Sequence, residues 1–276
     1  MAKRLLITAI SAALFACALI AGCAQAPQSS DSSSQGDSSL EQIIVGSDIY
    51  PPYFYIDEDG SYTGIDVKIL TEACRRAGYK PVFKTIDWEK KKDLLAKGEI
   101  DAVMGCFSMT GRESEYQWAG PYMRSRQVVA VAPSSDIKTL ADLKGKVVAV
   151  QATTKPEGIL LDRTIKNVPE VEKVLSFTDR AYITPALLKG YVDAIAAHET
   201  SIVQYEKDYN VELRIIDEPL QVVGLGTAFD VSDERGICEK VEAAFDEMRA
   251  DGSMEQIISK YLDDAQKYLD LEGVDE

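Results

Sequence analysis

Between residues 42 and 262 the chain alternates between two spacings of its apolar positions. Short apolar runs bounded by turn residues predict strands at QIIVGS (42–47), KPVFKTI (80–86), IDAVMG (100–105), VVAVAP (128–133), GKVVAVQ (145–151), KVLSF (173–177) and VDAIAA (192–197). Helical spacing predicts DVKILTEACRRAG (66–78), opened by Asp66 and closed by Gly78, with an apolar stripe of Ile69, Leu70, Ala73, Cys74 and Ala77. Further helices are expected at EKKKDLLAKG (89–98), PEGILLDRTI (156–165) and TPALLKG (184–190), with Pro185 early in the last. A final helical stretch, 234–262, breaks at Gly252. Strands alternating with helices argue for an α/β fold with helices flanking mostly parallel sheets.

The first residues follow neither spacing. Lys3 and Arg4 precede an uncharged apolar run, and small residues follow it, which is the layout of an export signal. The run ends in IAGC, Ile20 to Cys23, which resembles a bacterial lipobox: cleavage before Cys23 leaves a thiol and an amino terminus that carry lipid chains. The plainer alternative is an ordinary signal peptide with an incidental cysteine. Residues 24–39, AQAPQSSDSSSQGDSS, hold almost nothing that can enter a core and read as a flexible tether. The expected plan is a signal peptide over 1–22, an anchored tether over 23–42 and a folded body beyond.

Charge narrows the partners. The chain carries a net charge of −15, and losing Lys3 and Arg4 makes it more acidic still, so nucleic acid is an unsuitable partner. Cys74, Cys106 and Cys238 remain after cleavage, an odd number that cannot all pair internally. No Cys/His cluster has ligand spacing, so neither a metal nor another cofactor is expected.

Two segments echo each other. AKGEIDAVMGCFS and LKGYVDAIAAHET share a helix end, a glycine and an Asp-Ala strand; aligning Gly98 with Gly190 sets Cys106 opposite His198 and Ser108 opposite Thr200. Ligands of open α/β sheets sit beyond the carboxyl ends of strands, so both echoes deliver residues to such an edge. His198 is the single histidine of the chain.

IIVGSDIYPPYFYIDEDGSYTGIDVKILTEACRRAGY, IDWEKKKDLLAKGEIDAVMGCFSMTGRESEYQWAGPYM, TLADLKGKVVAVQATT and RADGSMEQIISKY, in that order over 43–262, resemble the family 3 extracellular solute-binding proteins of amino-acid ABC transporters. The resemblance implies a two-lobed periplasmic-binding-protein-like fold of type 2, closing on its ligand about two crossover strands, RQVVAVAP and LQVVGLGT. It implies a first lobe of 43–127 plus 223–276 and a second of 128–222. It also implies a monomer at the outer face of the cell membrane, passing an amino acid or related small carboxylate to a membrane ABC permease.

Carried over residue by residue, the resemblance places Asp48, Tyr50, Trp88, Cys106, Ser108, Arg112, Thr153 and His198 at the ligand. Tyr50 and Trp88 would sandwich a side chain and attract a cation. Arg112 would fork onto a carboxylate, although Glu113 and Glu115 offer it a surface ion pair instead. Thr154 to Glu157 spell a capping box, leaving Thr153 as the ligand contact at a helix start. His198 stands where many relatives carry an aspartate for the ligand ammonium; Glu199 is a second choice, since strand neighbours point to opposite faces. Two other readings stay open: a sensory module reporting to a membrane receptor, and a cyclohexadienyl-dehydratase-like enzyme with His198 and Glu199 serving as general acid.

Overall fold

The computed structural model describes residues 40–163 and 165–274. The export signal, Cys23 and the tether up to residue 39 lie outside them.

The elements follow the expected alternation. In chain order they are β1 (Glu41–Ser47), β2 (Tyr55–Ile56), β3 (Tyr62–Thr63), α1 (Ile65–Ala77), β4 (Tyr79–Thr85), α2 (Lys91–Ala96), β5 (Ala102–Val103) and β6 (Gln117–Val131). Then come β7 (Val147–Gln151), α3 (Lys155–Asp162), β8 (Lys173–Phe177), α4 (Ile183–Leu188), β9 (Ala194–His198), α5 (Glu199–Tyr209), β10 (Arg214–Ile215) and β11 (Gln221–Phe229). The chain ends with α6 (Ile237–Ala250), α7 (Ser253–Ile258) and α8 (Gln266–Leu269).

Helix α1 buries Ile65, Val67, Ile69, Leu70, Ala73 and Cys74, the stripe read from sequence with its neighbours on the first turn. Fully burying each large aliphatic side chain is worth about 1.5–3 kcal/mol. Gly78 closes the helix in the left-handed region at φ 81°. Its opening differs from expectation. Gly64 is the cap, and Asp66 sits inside the first turn, buried, accepting from the Cys106 amide at 2.7 Å and the Tyr122 hydroxyl at 2.7 Å. Those bonds make a cap role unavailable to it.

Among the described residues one nine-stranded sheet runs in the order β4-β1-β5-β11-β6-β9-β7-β8, with β10 on β6. Parallel pairing occupies both ends: β1 with β4 and β5, and β7 with β8 and β9. The centre is antiparallel, because β6 and β11 pair from Gln221↔Gln127 to Phe229↔Gln117 with a register shift between Leu225 and Thr227. The sheet is therefore mixed rather than mostly parallel.

Its apolar interior is divided. One core gathers Ile43, Val45, Ile69, Leu70, Tyr122, Met123, Leu225 and Phe245. Two others, on Val129, Val148, Ile159 and Ala194 and on Val128, Ala149, Leu187 and Ile195, lie on opposite faces of the β6-β9-β7 region. Strand β6 thus gives Tyr122 and Met123 to one core and Val128 to Val131 to the others, so it is the joint between two lobes.

Of the elements not expected from sequence, one bears on the site. Residues 199–209 form α5, with His198 as the residue before its first turn, so strand alternation does not govern Glu199. Its carboxylate instead meets Arg126 at 2.7 Å.

Candidate ligand-binding site

A cavity of about 260 Å³ opens between the lobes. Ligand cavities for drug-sized molecules run from roughly 300 to 1,000 Å³, so this one suits a smaller solute. Tyr50, Trp88, Cys106, Ser108, Arg112 and His198 all line it. Asp48 and Thr153 stand just behind that lining, and each is already engaged across the cleft.

The residues after β5 are placed by Gly105, which takes φ 139°, a conformation that side chains resist, and whose missing Cβ leaves room for the Ser47 hydroxyl. Cys106 follows at φ 53°, its amide fixed by Asp66. The turn carries Ser108 and Arg112 to the cavity wall. Arg112 Nη1 reaches the Ser108 carbonyl at 3.3 Å and Nη2 the Thr153 carbonyl at 3.4 Å. The surface ion pair open to it does not form: Glu115 takes Lys92 at 3.0 Å, and Glu113 accepts the Gly111 amide. Burial depresses the guanidinium pKa from its usual value.

Lys91, which sequence reading passed over, joins Arg112. It is 5% exposed, its ammonium donates to the Thr153 hydroxyl at 2.8 Å, and it lies 4.7 Å from the centre of the Trp88 ring. Burial first, then Arg112, lowers its pKa to about 8. Position alone could have flagged it, because it follows Trp88 by one helical turn.

Thr153 has φ 58° and ends a turn rather than opening a helix. Its amide donates to Glu157 Oε2 at 2.6 Å, and the Thr154 hydroxyl donates to the Gln151 carbonyl at 2.6 Å. The expected capping box is therefore absent: Thr154 turns backward, and Glu157 takes the amide that a ligand carboxylate was expected to reach.

Asp48 is claimed by the opposite lobe. Gln151 Nε2 donates to it at 2.6 Å, and Arg180 forks onto both of its oxygens at 2.9 and 3.1 Å. The Arg180 guanidinium carbon sits 3.2 Å from the centre of the Tyr50 ring. Arg180 was also missed. It lies three residues past KVLSF, beyond the carboxyl end of a predicted strand, where the rule used for the other candidates applies equally.

His198 is 6% exposed and both ring nitrogens are engaged. Gln127 Nε2 lies 2.8 Å from its Nε2, and the Ser125 hydroxyl lies 2.8 Å from its Nδ1. Burial, then Arg180 and Arg112, lowers its pKa to about 3. With its pKa held that low, the ring is neutral near pH 7, and both nitrogens are engaged within the chain, so it lacks the imidazolium that a general acid would use. Tyr50, its pKa lifted to about 12 by burial, brings its hydroxyl within 2.8 Å of Ser201 on the other lobe. Around the cavity, Trp88 Nε1, Gln127 Oε1 and Gln151 Oε1 are buried without a hydrogen-bond partner among the described residues. Nor do the described residues include a group of three or more His, Cys, Asp or Glu side chains that could hold a metal ion.

Two lobes, a hinge of paired crossover strands and a cleft rich in cations form one arrangement, and comparison with known proteins gives it a family. The model for bacterial extracellular solute-binding proteins, family 3, matches residues 43–264. The chain belongs to that family. The L-cystine-binding protein TcyA of Bacillus subtilis (strain 168) is 30% identical over 261 residues, 91% of this chain and 92% of its own. A histidine-binding periplasmic protein of Salmonella typhimurium (strain LT2) is 30% identical over 236 residues, 81% and 88% of the two chains. An ancestral arginine-binding protein bound to arginine has the same fold, with a TM-score of 0.73, 28% identity and coverage of 80% and 98%. These family 3 relatives are binding proteins, and the type 2 two-lobed fold is shared. Among the described residues no helix is long and apolar enough to cross a membrane.

Proposed function

We propose that this family 3 protein is the lipid-anchored, extracytoplasmic binding component of an ABC transporter, and that it captures an amino acid or related small carboxylate by lobe closure. The observation that carries the reading is Arg112. It is a guanidinium on the cavity wall that packs over the Phe107 ring and whose hydrogen bonds among the described residues go to the carbonyls of Ser108 and Thr153, with no carboxylate in salt-bridge contact. A planar donor pair with no carboxylate of its own suits the carboxylate of a solute.

Closure is supported by the partners that cross the cleft. Tyr53 and Thr200, Tyr50 and Ser201, Lys91 and Thr153, and Asp48 and Arg180 each join residues 43–127 to residues 128–222. The division of the cores supports the same lobe boundaries, with 223–276 returning to the first lobe. Anchoring rests on IAGC and the serine-rich tether. Relatives named for L-cystine and histidine support an amino-acid-like solute.

The test is uptake. Cells lacking the protein should lose uptake of its solute, the parent gene should restore it, and Arg112→Ala should not. Uptake that persists without the protein, or full rescue by Arg112→Ala, contradicts the reading.

A further inference from the structure

Both aromatic residues expected to hold a ligand side chain are already covered by cations of the chain itself. Lys91 stands over Trp88 at 4.7 Å, and Arg180 lies on Tyr50 at 3.2 Å. Arg180 also satisfies Asp48 through Nε and Nη2 at 2.9 and 3.1 Å. A guanidinium over a ring together with a fork onto a carboxylate is the pair of contacts that a solute guanidinium would make with these two residues.

Apart from the unpartnered side-chain oxygens of Gln127 and Gln151 and the Tyr205 and Tyr209 rings, the cavity offers a cation few partners, and no free carboxylate. The carboxylates lining it are Asp179 and Asp208, both exposed, the first accepting the Ala181 amide and the second the Gln204 side chain. Asp66 is held behind Cys106 by that amide and by Tyr122. Against these stand Arg112, Lys155 and Arg180 on the lining, with Lys91 close behind. A cationic side chain entering here would meet like charge, or would have to expel Arg180 from both Tyr50 and Asp48.

We propose that Arg180 is a specificity-determining residue that fills, from within the chain, the subsite for a cationic side chain, so that the solute is a small carboxylate with a neutral or anionic side chain. This rests on the reading of the cavity as the solute site. It is a stronger statement than that reading, because it excludes the basic amino acids as a class. Removing the Arg180 side chain re-creates a guanidinium-shaped space bounded by Tyr50 and Asp48. The variant should then accept arginine from solution.

The test is calorimetry on the purified, processed protein with L-glutamate, L-glutamine, succinate, L-arginine and L-lysine as probes. The parent should bind at least one of the first three, and arginine and lysine at least about tenfold more weakly. Arg180→Ala should gain about tenfold or more in arginine affinity, from the freed ring and carboxylate, and Arg180→Lys, which keeps the cation, should not. Should Arg180→Ala fail to fold, Arg180→Gln opens the same space with a polar side chain. A parent that binds arginine or lysine as tightly as its best solute overturns the proposal while leaving the site assignment intact. So does an opened variant that keeps the parent's solute and gains no arginine. If none of the five probes binds either parent or variant, the proposal fails together with the reading of the cavity, and the silent parent identifies that case.

Discussion

Arg180 stands over the Tyr50 ring, its guanidinium carbon 3.2 Å from the ring centre, and forks at the same time onto Asp48. Asp48 and Tyr50 follow β1 in one lobe, whereas Arg180 follows β8 in the other, so this contact clasps the lobes together. Asp48→Asn keeps the shape and removes the charge. The pair is 17% and 14% exposed, so the loss should fall below the ~3–5 kcal/mol typical of a fully buried pair, on the order of 2 kcal/mol. Urea unfolding gives that figure. Solution scattering on the solute-free variant should show a larger radius of gyration than the parent, and an unchanged radius would mean that the clasp does not hold the closed state.

Two buried groups tie stability to pH in opposite directions. His198 is held down to about 3 by burial, with Arg180 and Arg112 adding to it. Below ~6.5 the unfolded chain therefore takes up a proton that the folded ring refuses, and stability falls with pH at up to ~1.4 kcal/mol per unit until the folded ring titrates too. Asp66 behaves conversely: burial lifts its carboxyl to about 7. Between ~7 and ~3.9 the folded state holds a proton that the unfolded chain has lost, so stability rises as pH falls. The two slopes oppose each other from ~6.5 to ~4. His198→Gln removes one of them, so between pH 6.5 and 4.5 the variant should gain on the parent by ~1.4 kcal/mol per unit. Urea titrations at four pH values measure the difference; parallel curves would show that the ring charges in the folded state. With the His198 ring held neutral, ligand binding should show no step from an imidazole titrating near ~6.5.

Arg112→Lys keeps a charge at the cavity wall but loses the planar fork. Solute affinity should drop by about 1–3 kcal/mol, read by calorimetry against the parent. Equal affinity would mean that only the charge at this position matters.

Period and punctuation carried most of the fold. The strands at β1, β4, β7, β8 and β9 and the helices α1, α3, α4 and α6 all lie where spacing, Gly78 and Gly252 put them. Strand β6 begins at Gln117, well before the apolar run at 128, because its pairing to β11 carries it through Gly120 and Pro121. The aromatic and Arg112 positions were legible through family resemblance. Arg180 and Lys91 could have been flagged by position, but their roles were not legible, since each role comes from one lobe's cation meeting the other lobe's ring or turn, and no local pattern encodes a contact over 132 residues of chain. His198 shows the same limit from the other side. Its place beside the cavity followed from the echo, but the occupation of both nitrogens by Gln127 and Ser125 follows only from the pairing of β6 with β9.

The thiols offer a count. Cys74, Cys106 and Cys238 are free and buried, and burial pushes the first and last up to about 12 and Cys106 well above its ordinary value. The native processed protein should react negligibly with a thiol reagent at pH 8, and three thiols should appear on unfolding. A further thiol in protein isolated from membranes would place a free sulfur at Cys23 and contradict lipid attachment there.

Capture of a small carboxylate by Arg112 is the central claim, and solute-induced stabilisation of the parent beside Arg112→Ala tests it most directly. A carboxylate at about 100 times its dissociation constant should stabilise the parent by ~2.7 kcal/mol. At the same concentration Arg112→Ala should gain almost nothing. Equal stabilisation of both proteins, or no stabilisation of the parent by any small carboxylate, would contradict the account.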